Sequence, residues 1–215
     1  ISESVWHYIA FNEGNFSLKI TIARDAGYCF GVRDAVNMAY DAAEKYGEVY
    51  MLGFIVHNED VVDDLEKVGA KVVSNLEEIP KESPVLFRAH GTVNKLWDDA
   101  KNMKMNIIDA TCPLVYEIHH EVKKLAADGR QIIVIGDHGH DEVVAIADQV
   151  KNAIVVANPA EAEKLRKMKR AGVVTQSTQA IENVNDIIKI LMTKVFDLHV
   201  VNTICFPTKR NHDQV

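Results

Sequence analysis

The chain has 215 residues, of which 47% are hydrophobic and 26% charged, an ordinary globular composition with room for one large domain or two small ones. Its formal net charge of −7 argues against a general nucleic-acid binder but leaves room for a local basic pocket that takes an anionic small molecule. No apolar stretch approaches the roughly 20 residues that span a bilayer. Three cysteines without a signal peptide point to a reducing, cytoplasmic setting where free thiols persist.

Residue 1 is Ile, and Ile1–Ser17 reads as an extension with neither the basic nor the apolar region of a targeting peptide. Beyond it, short apolar runs alternate with helical periodicity. Strands are predicted at Leu18–Ile22, Val49–Leu52, Val85–Arg88, Ile107–Asp109, Gln131–Ile135, Ala153–Val156, Gly172–Thr175 and Leu198–Val201. Helices are predicted at Val32–Tyr46, Val61–Val68, Val93–Lys101, Leu114–Asp128, Glu142–Val150, Pro159–Met168 and Ile181–Lys194. In Leu114–Asp128 the apolar residues Val115, Ile118, Val122 and Leu125 fall on one face, as do Val184, Ile187, Ile188 and Leu191 near the end. Strand–helix alternation of this kind predicts an α/β protein with parallel sheets covered on both faces. A quasi-repeat of α/β units is expected, divided near Cys112 and again near Cys205: an extension (1–17), a first lobe (18–111), a second lobe (112–204) and a stub (205–215).

Each cysteine follows an apolar run: Gly27-Tyr28-Cys29-Phe30-Gly31, Asp109-Ala110-Thr111-Cys112-Pro113 and Asn202-Thr203-Ile204-Cys205. Their spacings of 83 and 93 residues spell neither a redox CxxC nor a zinc knuckle. Three separate thiolates could hold an iron–sulfur cluster and leave one iron without a cysteine; equally, buried Cys often serves as a small apolar residue. Three histidines also end strand-like runs: His57 in Val56-His57-Asn58, His90 in Arg88-Ala89-His90-Gly91, and His140 in Gly139-His140-Asp141-Glu142. Imidazoles so placed can converge on an anion, or each can simply cap a helix. Glu142 is either an exposed first-turn residue or, if desolvated, a proton donor. Thr175-Gln176-Ser177-Thr178 reads as an N-cap cluster and as a set of hydroxyls for a substrate alcohol, and both readings can hold together. The basic run Lys164–Arg170 reads as a solvated helix end, and the adjacent His119 and His120 point different ways on a helix.

Taken together and in order, these segments resemble the 4-hydroxy-3-methylbut-2-enyl diphosphate reductase family, over Lys19 to Cys205. Any one segment is weak; seven in sequence are specific. The resemblance implies tandem small parallel-sheet lobes with flanking helices, two of the three lobes of a trefoil-like arrangement. It implies a [4Fe–4S] cluster held by Cys29, Cys112 and Cys205, an allylic diphosphate bound by His57, His90 and His140, and a proton donor at Glu142. Ser177 matches a hydroxyl residue that orients the substrate. The implied reaction is reductive dehydroxylation to isopentenyl and dimethylallyl diphosphates, in the methylerythritol phosphate route, with electrons from a flavodoxin or ferredoxin.

The sequence departs from the family pattern after Cys205, where Phe206-Pro207 replaces the usual Ala-Thr, and at Asp141, where Pro is usual. The third lobe is missing, which makes the chain an incomplete fragment in this reading and predicts a poorly held Cys205. The competing reading is a non-redox diphosphate-binding module of the same fold, with zinc or no metal.

Overall fold

The computed structural model describes residues 27–56 and 58–212. The extension Ile1–Ser17, the predicted strand Leu18–Ile22 and His57 lie outside the described residues. Within them the order is α1 (Phe30–Tyr46), β1 (Val49–Leu52), α2 (Glu59–Lys67), β2 (Ala70–Val73), a 3-10 turn at Leu76–Glu78, β3 (Pro84–Phe87), α3 (Asn94–Asn102) and β4 (Asn106–Asp109). There follow α4 (Pro113–Ala127), β5 (Gln131–Ile135), α5 (Asp141–Ala147), β6 (Ile154–Val156), α6 (Pro159–Lys164), β7 (Met168–Thr175), α7 (Ile181–Lys194), β8 (Val195–Val200) and α8 (Phe206–His212).

The strands form two four-stranded sheets, ordered β2-β1-β3-β4 and β6-β5-β7-β8, every pairing parallel. The two orders are the same, so the quasi-repeat expected from the sequence is present in topology. Parallel strands need helical crossovers, which cover both faces and force the strands themselves to be apolar. Accordingly Ile132–Ile135 and Ala171–Thr175 are buried without alternation. Helix α1 meets the first sheet through Ala35, Ala39, Ala42 and Ala43, whose small side chains let the backbone lie close. Helix α4 buries Val115, Ile118, His119, Val122 and Leu125, and α7 buries Val184, Ile187 and Leu191, at the helical spacing expected.

Several elements differ from expectation. Strand β2 was not predicted: it is a four-residue edge with an exposed Lys71 in its middle, so it carries little apolar signal. Helix α6 stops at Lys164, and the basic run that follows enters β7 instead of ending a helix. Arg170 lies inside that strand because Asp197 (3.0 Å) and Asp128 (2.9 Å) pair with its guanidinium. Strand β8 starts directly after α7 as the outer strand of its sheet, where Phe196 is exposed. Among the described residues no helix is long and apolar enough to cross a membrane.

Candidate active site

In open parallel sheets ligands bind beyond the carboxyl ends of strands, where the strand order reverses. Here those points lie between β1 and β3 and between β5 and β7. Strand β3 runs straight into Arg88-Ala89-His90-Gly91, and the ladder continues beside it: Ala110 N–H donates to Phe87 C=O (3.1 Å) and Cys112 N–H to Ala89 C=O (3.0 Å). Asp109 shapes that turn by accepting from Thr111 N–H (3.0 Å) and from the Tyr116 hydroxyl. In the second sheet, Gln176 N–H donates to Ile135 C=O (2.8 Å), and the Gln176 amide oxygen accepts from Asp137 N–H (2.9 Å). That bond fixes the loop leading to His140. After β8, Cys205 N–H donates to Ser177 C=O (2.9 Å) and Ile204 is buried in the second core. Cys205 is thus tied to the loop after β7.

These loops enclose a cavity of about 270 Å3 lined by Cys29, Cys112, Cys205, His90, Glu142 and Ser177, with Phe30, Val115 and Pro207 among its apolar walls. A larger cavity of about 630 Å3 lies between α4 and the segment after β8, but it lacks Cys29, Cys112, His90 and Glu142. The thiols and titratable groups meet in the smaller one.

All three cysteines stand immediately before a helix. Cys29 C=O accepts from Arg33 N–H (3.0 Å), Cys112 C=O from Tyr116 N–H (3.2 Å) and Cys205 C=O from Lys209 N–H (3.1 Å), which opens α1, α4 and α8. At Cys112 burial pushes the thiol up, opposed by the Leu114 and Val115 backbone N–H groups; the neighbouring Cys29 and Cys205 add to the rise. Gly31 leaves room for this thiol, since a Cβ there would lie 2.6 Å from Cys112 Sγ. Among the described residues no three His, Cys, Asp or Glu side chains surround a single metal ion. The three thiols line one cavity with apolar walls, a soft donor set of the kind that iron–sulfur clusters and zinc accept.

Glu142, on the first turn of α5, is 1% exposed, which rules out the exposed first-turn alternative. Burial raises its carboxyl above the ordinary range, against the pull of two hydrogen bonds from Ser177 and of His140 nearby. Ser177 N–H donates to Glu142 Oε1 (2.6 Å) and Ser177 Oγ to Oε2 (2.8 Å). Ser177 is not a helix cap, because α7 begins at Ile181. His140 caps α5, its Nδ1 accepting from Glu142 N–H (3.2 Å), and its ring meets that of His90 edge to face at 5.5 Å. The structure thus brings together every predicted site residue within the described segments. Arg88 and Gln176, quoted in the sequence only as parts of motifs, emerge as the residues that brace these loops. His119 and His120 diverge as expected. His119 is buried, which lowers its imidazole to about 4, while His120 lies on the exposed face.

The fold and cavity define an α/β protein with a thiol-lined cavity beside a buried acid and paired histidines. The model of the LytB protein family matches residues 20–215, and the chain belongs to that family. It is 40% identical over 198 residues to the 4-hydroxy-3-methylbut-2-enyl diphosphate reductase of Geobacter sulfurreducens, a match spanning 92% of this chain and 70% of that one. The protein of the same name from Geobacter metallireducens is 38% identical over 192 residues, covering 89% and 68%. The structure of the E-1-hydroxy-2-methyl-but-2-enyl-4-diphosphate reductase from Plasmodium falciparum superposes with a TM-score of 0.82 at 30% identity, over 86% of this chain and 60% of that one. A second solved reductase, titled the terminal enzyme of the non-mevalonate pathway, gives 0.81 at 31% identity, covering 91% and 71%.

Proposed function

We propose that the chain carries the active centre of a reductase that converts 4-hydroxy-3-methylbut-2-enyl diphosphate to isopentenyl and dimethylallyl diphosphates. The overall change consumes two electrons and two protons and releases water. The observation that carries this reading is the meeting of Cys29, Cys112 and Cys205 with Glu142 and Ser177 on one cavity. The three thiols would hold a [4Fe–4S] cluster, which when bound supplies one-electron transfer and a Lewis-acidic iron.

The protein's own groups do the rest. His90 and His140, with His57 as the third member of the set, bind the diphosphate and turn its binding energy into orientation of the C–O bond. Glu142, whose carboxyl burial raises above its ordinary range, delivers a proton to the departing hydroxyl. Ser177 bonds both carboxylate oxygens, which holds Glu142 in one rotamer and gives the proton a hydroxyl to return through. The apolar walls lower the local polarity and so strengthen each of these interactions.

The two sheets are read as two lobes, residues 18–111 and 112–204, with 205–215 opening a third. Electrons come from a small protein carrier of the flavodoxin or ferredoxin type. Three free cysteines fit a reducing, cytoplasmic setting. Anaerobic reconstitution with iron and sulfide tests the reading. About four irons and four sulfides per chain, a broad visible band and substrate turnover with a reduced carrier are expected, and Cys112→Ser should lose both iron and sulfide. A colourless chain with one zinc or none that still binds pyrophosphate would support the non-redox module instead.

A further inference from the structure

Arg88, just past a strand of the first sheet, and Asp141, at the start of a helix that follows a strand of the second, form an ion pair. Arg88 Nη1 donates to Asp141 Oδ2 at 2.5 Å. Arg88 directly follows β3 and stands two residues before His90; Asp141 is the first residue of α5, between His140 and Glu142. The guanidinium is held on a second side. A Cβ at Gly53, just past β1, would lie 2.7 Å from Nη1, and Gly53 has φ +78°, where a side chain would also be strained. Gly91 N–H donates to Arg88 C=O (3.2 Å) and closes the turn that presents His90. Arg88 therefore reaches the β1 end and the start of α5 through its side chain, and closes the His90 turn through its backbone carbonyl.

We propose that the Arg88–Asp141 pair is a clasp between the two sheets that sets the spacing of His90 and His140, which makes Asp141 a positioning residue for the diphosphate. This rests on the reading that these histidines bind diphosphate. The rings stand 5.5 Å apart, and each is tied to one end of the clasp through two residues or fewer of backbone. Asp141 is partly solvated, so the pair adds little to global stability, and its effect falls on local geometry.

The test uses the full chain, purified anaerobically, with inorganic pyrophosphate as the calorimetric probe. Asp141→Asn should weaken binding on the order of 5- to 10-fold while leaving the melting temperature nearly unchanged. The charge swap Arg88→Asp with Asp141→Arg should recover much of the loss. The nuclear Overhauser contact between the His90 and His140 rings should disappear in Asp141→Asn and return in the swap. Unchanged or tighter binding by Asp141→Asn, or a ring contact that survives it, would overturn the clasp. Wild-type protein that ignores pyrophosphate would overturn the diphosphate reading instead, and the ring contact would still decide whether the clasp exists.

Discussion

Glu142 shows how one residue's environment decides its chemistry. An acid at the start of a helix is normally stabilised as the carboxylate by the helix dipole. Here burial outweighs that and the Ser177 hydrogen bonds, and the carboxyl is raised. The folded carboxyl then holds its proton more tightly than the unfolded one. This group favours folding fully below the ordinary value of 4.5, and that contribution is lost as pH rises through the raised folded value. Glu142→Gln keeps the shape and cannot ionise. Thermal melts across pH should show the variant equal to wild type in acid and more stable than it above the folded value. Identical pH slopes would show that the carboxyl is not desolvated. The same variant should keep its cluster and lose turnover by about 100-fold or more, the usual cost of removing a general acid.

At the scale of the element, the loops after β7 and β8 are held by side chains that replace a ladder. Thr175 N–H donates to Thr203 Oγ1 (2.7 Å), and Thr203 Oγ1 donates to Thr175 C=O (2.7 Å). One hydroxyl therefore satisfies both backbone groups of a fully buried residue where β8 has ended. Thr203→Val is close to isosteric and leaves both groups unpaired. Chemical denaturation should report a loss of about 1–3 kcal/mol, with faster hydrogen exchange at Thr175; a neutral substitution would mean that water replaces the hydroxyl. The helices were largely legible from periodicity, since α1, α4 and α7 each bury a stripe that survives in the sequence. Strand β2 and the first half of β7 were not. An edge strand and a strand start carry polar residues whose partners, such as Asp197 and Asp128 for Arg170, are distant in the chain.

At the scale of the molecule, the centre joins parts that do not otherwise share a core. Cys29 opens α1 on the first sheet, Cys112 lies where the chain passes from one sheet to the other, and Cys205 hangs from the β7 loop of the second. A ligand held by all three binds the folded chain alone and stabilises it by linkage. The reconstituted protein should melt several degrees above the protein stripped of iron. Coincident melts would show that the three thiols do not act on one centre.

The sequence by itself determined the α/β class, the helical faces and the segments that carry chemistry, because periodicity and strand-end motifs are local signals. It left Glu142 balanced between a surface acid and a buried donor, the Ser177 segment open to cap and hydroxyl site alike, and each cysteine between packing and ligation. Only the tertiary structure buried Glu142 and bonded Ser177 to it instead of to the start of α7, and it placed all three cysteines on one cavity with that pair. Desolvation and convergence depend on what distant segments bring to the same place: parallel strands send their carboxyl ends to one edge, and no local pattern records which loops meet there.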